Sequence, residues 1–173
     1  MPTTCGRFSP LGERMIRTSI IIAAVLATTP AFADWQYTQW GMTADQAIAA
    51  SSGALSPCTP TACKGATGGK LQPKTIGQYQ SGEFKFENIM LFDDAGGLAK
   101  VRLKLVDPAQ ITRLQSALVS KYGEFVVENA GFLHTRRWMT ATDRIELQNI
   151  GTDKRALVLL EYSPRTTAAN KGL

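Results

Sequence analysis

"EFKFENIMLFDDAGGLAKVRLKLV" (residues 83–106) is the stretch that decides how this chain folds. Its second half alternates: Ala99, Val101, Leu103 and Leu105 fall on one side, Lys100, Arg102 and Lys104 on the other. Successive side chains of a strand point to opposite faces, so this pattern predicts a strand with one buried face and one wet, basic face. Asp93 to Gly97 is turn chemistry, Asp side chains bonding nearby backbone N–H groups and glycines supplying positive φ. The two carboxylates therefore read as turn formers, and the apolar runs flanking them as antiparallel neighbours. In the first half the apolar phase slips, from Phe84 and Phe86 to Ile89 and Leu91, while Met90 and Phe92 keep the first phase. Either a bulge near Glu87-Asn88 or burial on both faces at that end would produce the slip.

Working outward, "TIGQYQ" (residues 75–80) joins through Ser81-Gly82 to make a three-stranded meander. Downstream, "DPAQITRLQSALVSKYG" (residues 107–123) has every mark of a helix. Asp107 caps it, Pro108 suits the first turn, Gln110 completes a capping box, and Gly123 ends it. Ile111, Leu114, Leu118 and Tyr122 form its apolar stripe. Three more strand-like runs follow, "FLHTRRWMTA", "DRIELQNI" and "RALVLLEYS", and then a polar tail at 165–173 expected to be disordered. On the other side, Thr43 and Gln46 start a short helix over about 44–52, stopped by Gly53, and residues 54–74 read as a long loop.

The order is helix, three strands, helix, three strands. It predicts an α+β fold in which helices pack on one face of an antiparallel sheet, in one domain over residues 34–164. The two helix starts, "MTADQAI" and "VDPAQI", share a cap followed by Gln, a pattern that suits duplication of a helix-plus-sheet unit.

The N-terminal third of the sequence carries an address. In "MIRTSIIIAAVLATTPAFA" (residues 15–33), Arg17 is a positive n-region, residues 20–27 are a short apolar run, and Ala31-Phe32-Ala33 is an A-x-A cleavage site. The run is less than half of the roughly 20 apolar residues that span a bilayer. A signal peptide cleaved after Ala33 is expected, with a periplasmic or secreted product and no stable membrane anchor. Residues 1–14 then read as a mis-called extension ahead of a start at Met15. Cys5 precedes the apolar run, whereas a lipidated cysteine would follow it directly. Loss of Arg7, Arg14, Arg17 and Glu13 takes the 19 basic and 14 acidic residues to 16 and 13, a net charge of about +3. That charge is spread along the chain without the dense patch that nucleic acid requires, so no nucleic-acid partner is expected. Cys58 and Cys63 remain, and their close spacing in an oxidising compartment predicts a disulfide.

Catalytic, cofactor and metal signals are absent. His134 is the single histidine and reads as a surface strand residue. "GATGGK" (residues 65–70) misses the phosphate-loop spacing and has Leu71 where Ser or Thr would hold magnesium. The stripe Lys100, Arg102, Lys104 is the solvated side of an amphipathic strand, or a dock for an anionic envelope component or acidic protein that Arg136 and Arg137 would extend. Trp35, Tyr37 and Trp40 read as the anchor that ties a new N-terminus to the core, with Trp40 largely inside.

"WQYTQWGMTADQAIAAS", the G-x-Y-x-x-G-x-F-x-F spacing from Gly77 to Phe86, "LFDDAGGLAKVRLKL" and "LVSKYG" together resemble a group of small uncharacterised exported proteobacterial proteins. The repeated helix-then-sheet layout is similar to the beta-lactamase-inhibitor-protein architecture and its relatives among small outer-membrane-assembly lipoproteins. The missing lipidated cysteine sets this chain apart from the latter. The resemblance carries over no activity; the exported address, the helix-and-sheet layout and the lack of catalytic motifs predict a non-enzymatic envelope binding module with no cofactor, acting on an envelope protein or anionic component. A small enzyme or ligand carrier with a pocket between helix and sheet is the alternative.

Overall fold

The computed structural model describes residues 1, 35–66, 69–131, 133–151 and 156–165. Apart from Met1, the expected extension, signal peptide and cleavage site lie outside the described residues, as does the tail beyond Arg165.

The meander read from residues 75–106 is present and larger than expected. In chain order the elements are α1 (Ala44–Ala50), β1 (Leu55–Pro57), β2 (Gln72–Ser81), β3 (Phe84–Phe92), β4 (Leu98–Leu105), a 3-10 turn (Pro108–Gln110), α2 (Ile111–Tyr122), β5 (Val126–Ala130), β6 (Leu133–Met139), β7 (Asp143–Ile150) and β8 (Leu157–Pro164). The strands form one eight-stranded sheet in the order β1-β2-β3-β4-β8-β7-β6-β5, antiparallel at every pairing. Two four-stranded meanders, each preceded by a helix, are thus joined at the centre through their last strands, where Arg102 pairs with Glu161 and Leu103 with Leu160.

This overturns the α+β expectation. The helices are short, seven and twelve residues, and the fold is mainly β. They supply only Ala47, Leu114 and Leu118 to the buried core, whereas the sheet supplies Phe86, Met90, Val101, Leu103, Trp138, Ile145, Leu147, Val158 and Leu160 among others. Each half contains four strands, not three, because two edge strands lack the alternation that marks a half-buried strand. β1 is three residues long and ends in Pro57, which suits an edge. β5, "VVENA", is exposed along its whole length, so neither face imposes an apolar phase on it.

Local chemistry explains the element ends. The Thr43–Gln46 capping box forms in both directions, Gln46 N–H donating to Thr43 Oγ1 and Thr43 N–H to Gln46 Oε1. Asp107 caps the 3-10 turn through Ala109 N–H, while Gln110 makes no side-chain cap and simply passes the chain into α2. The phase slip in β3 comes from burial on both faces: Asn88 through Phe92 are all buried, and the register shifts fall at Leu91/Phe92 and Pro73/Thr75 instead. Cys58 and Cys63 form a disulfide with Cα atoms 5.8 Å apart, clipping a turn of the long β1–β2 connection. A ring this small removes only about 2 kcal/mol of unfolded-state freedom. The bridge stiffens the connection and leaves the sheet to hold itself.

Candidate functional site

Alternation along the central strands sorts their side chains onto two faces. Phe86, Leu103, Leu160, Tyr162 and Ile145 share one face, with Tyr79 beside Phe86 through the β2–β3 register. Over this face run the aromatic segment of residues 35–42 and α2. The segment is pinned to the start of β4 by two backbone hydrogen bonds, Gly41 N–H to Leu98 O at 2.9 Å and Leu98 N–H to Met42 O at 2.8 Å. Gly97 lets the two backbones meet, since a Cβ there would lie 3.2 Å from Gly41 Cα.

Between segment, sheet and helix lies a cavity of about 380 Å³, within the size range of small-molecule sites. Its walls are unusually aromatic. Trp35 packs edge-on to Tyr79 at 5.1 Å between ring centroids and lies 6.4 Å from Tyr162, and Tyr79 stacks on Phe86 at 6.0 Å. Trp40, Phe84 and Tyr122 complete the rings, and Leu114, Leu118, Leu103 and Leu160 floor it with aliphatic surface. The sequence expectation for the tryptophans divides here: Trp35 is 8% exposed and anchors the segment, whereas Trp40 is half-buried and forms cavity wall. Trp138 is elsewhere in the core, its indole N–H donating to Gly123 O at 2.9 Å and its ring against Phe125.

The polar groups of the cavity are few and come from distant parts of the chain. Trp40 Nε1 donates to Asp143 Oδ1 at 3.0 Å, and Thr142 Oγ1 donates to Asp143 Oδ2 at 3.0 Å. Gln36 Nε2 donates to the Tyr79 hydroxyl at 3.0 Å. Lys121 is exposed at the mouth, 5.0 Å from the centroid of the Tyr122 ring, next to the exposed Ala117. Burial, reinforced by the neighbouring Tyr122, Tyr79 and Asp143, pushes the Tyr162 hydroxyl far above the usual tyrosine range. Tyr162 therefore stays protonated and offers a hydrogen-bond donor.

Apart from Trp40, read as an anchor, and Tyr122, read as part of the α2 apolar stripe, these polar residues were not singled out from the sequence. They come from the 35–42 segment, β2, α2, β7 and β8, and no spacing links them. The available signal was faint: Tyr162 sits in phase with Val158 and Leu160 of its strand, where a buried tyrosine keeps a polar tip needing a partner.

The basic residues that the sequence did single out lie on the opposite face, with one exception. Lys100 and Arg102 both meet Glu161, at 2.7 and 2.6 Å, and Lys104 reaches Glu87 at 3.7 Å. Arg137 joins Glu128 and Glu146, and Arg144 also joins Glu146. The stripe is therefore interleaved with carboxylates from β3, β5, β7 and β8, a charge ladder rather than a uniform basic patch. Arg136, one residue from Arg137, points to the other face, its guanidinium 5.8 Å from the Phe125 ring centroid. His134 Nδ1 lies 3.0 Å from Asn129 Oδ1 in an exposed cross-strand pair. Among the described residues no group of three or more His, Cys, Asp or Glu is placed to hold a metal, and no helix is long and apolar enough to cross a membrane. No protein-family model, curated protein or solved structure matches the chain.

Proposed function

We propose that the protein is a non-enzymatic binding module whose site is the aromatic cavity between residues 35–42, the sheet and α2. The observation that carries this reading is the cavity itself: about 380 Å³ lined by rings, with a handful of polar groups from five parts of the chain. Tyr162 in the wall is driven toward its neutral form, which can donate a hydrogen bond to a ligand. Of the two expectations drawn from the sequence, a partner on a sheet face and a ligand between helix and sheet, the cavity favours the second. The charge ladder on the other face satisfies its own charges. The same reading places the module outside the cytosol after cleavage at Ala33, where the Cys58–Cys63 disulfide persists; N-terminal sequencing of the exported product should begin at Asp34.

The test is occupancy. A neutral apolar fluorophore such as N-phenyl-1-naphthylamine should bind saturably and alter the emission of Trp35 and Trp40. Ala117→Phe, which fills the mouth from an exposed helix position, should weaken that binding at least tenfold without changing the far-ultraviolet circular dichroism. Absence of saturable binding to the unmodified protein would overturn the reading.

A further inference from the structure

The ligand class can be taken further, resting on the cavity reading above. Glu161, Glu146 and Glu87, the buried or half-buried glutamates on the charged face, are each matched by Lys or Arg. Asp143, half-buried in the cavity wall, is held differently. Both of its oxygens accept from neutral donors, Trp40 Nε1 and Thr142 Oγ1, and it forms no ion pair with any described residue. Arg165 reaches the same turn but donates to the Thr140 carbonyl at 3.0 Å. A fixed carboxylate that forms no ion pair with a described residue thus borders a space walled by Trp35, Trp40, Tyr79, Phe84 and Tyr162.

Aromatic faces carry negative quadrupole potential and attract cations within about 6 Å, most strongly when the site is desolvated. Two tryptophans and two tyrosines beside a carboxylate form such a surface. The protein's own cation in the lining, Lys121, stays at the mouth over Tyr122 and leaves the inner rings to a ligand. We propose that the cavity binds an organic cation of the quaternary-ammonium class, its methylated head group against the inner rings and Asp143. Lys121 then meets any anionic group the ligand carries on the solvent side. A small zwitterion such as a phosphocholine compound satisfies both ends, free or as a lipid head group.

The experiment compares choline with its uncharged isostere 3,3-dimethylbutan-1-ol on the full chain, followed by tryptophan emission. Choline should bind at least tenfold tighter. Asp143→Asn keeps an acceptor for Trp40 and removes the charge, so it should abolish that preference, choline then binding no tighter than the isostere does. Lys121→Ala should weaken phosphocholine several-fold more than it weakens choline. Equal binding of choline and isostere would overturn the proposal and leave the binding module standing, because the apolar fluorophore would still enter. Failure of fluorophore, choline and isostere together would overturn the cavity reading itself. Cosedimentation with phosphatidylcholine vesicles, competed by free phosphocholine, assigns the ligand to a lipid head group. Binding of phosphocholine without cosedimentation assigns it to the free compound.

Discussion

The indole N–H of Trp40 donates to the Asp143 carboxylate at 3.0 Å, joining positions 103 residues apart in sequence. This bond fastens the 35–42 segment to the turn that opens β7, and so closes one side of the cavity. Trp40→Phe keeps a ring in the wall and deletes the donor. It should cost about 1–2 kcal/mol, since hydrogen bonds to charged groups are the stronger kind and this one is only half-buried. Urea unfolding of Trp40→Phe, Asp143→Asn and the double variant measures it: Asp143→Asn keeps an acceptor and should cost less. Additive losses in the double variant would show that the pair contributes nothing jointly.

Gly77 in β2 lies opposite Leu55, and a Cβ added there would fall 2.1 Å from the Ala54 carbonyl oxygen. Backbone cannot step aside as a flexible side chain can. Gly77→Ala should therefore push β1 off the sheet edge and destabilise by about 1–3 kcal/mol, the range for overpacking. Hydrogen exchange should show the loss of protection concentrated in residues 54–57, with β7 and β8 unaffected. A variant as stable as the parent would contradict the contact.

Glu161 and Lys104 offer a contrast in what an ion pair is worth. Glu161 is 3% exposed and takes both Lys100 and Arg102, whereas Lys104 is 50% exposed and meets Glu87 at 3.7 Å. Glu161→Ala leaves two cations without their shared carboxylate at the seam between the two meanders, and should cost about 3 kcal/mol, as breaking a buried pair does. Lys104→Ala should change stability by less than about 0.5 kcal/mol, because exposed pairs are weak. Chemical denaturation of the two variants side by side decides it.

The sequence carried the central architecture where one face of a strand is buried and the other wet. β4 shows the alternation because Val101, Leu103 and Leu105 are inside while Lys104 is out. β5 shows none, being exposed on both faces, and β1 is too short to display a period. Missing these two edge strands made the helices look like a larger share of the fold than they are. The candidate site was less legible still. Tyr79, Tyr122, Asp143 and Tyr162 meet only because β8 returns to pair with β4 at the sheet centre, a tertiary event that no local pattern encodes. The basic stripe was legible as residues, but its acidic partners Glu87, Glu146 and Glu161 could be matched to it only once the register was known.

Glu146 sets a pH dependence. Burial raises the affinity of its carboxyl for a proton, but hydrogen bonds and charge from Arg144 and Arg137 outweigh this, holding it below the usual glutamate range. A carboxyl whose pKa is depressed by folding stabilises the native state fully above its unfolded value, about 4.3. That contribution is lost as pH falls through the lower, folded value. Stability should therefore decline between about pH 5 and pH 3. Glu146→Gln removes the titrating group, so its urea midpoint should be lower than the parent's at pH 7 and fall less on acidification. If parent and variant lose the same stability between pH 7 and pH 3, the ion pairs of Glu146 with Arg137 and Arg144 are not the source of the acid sensitivity.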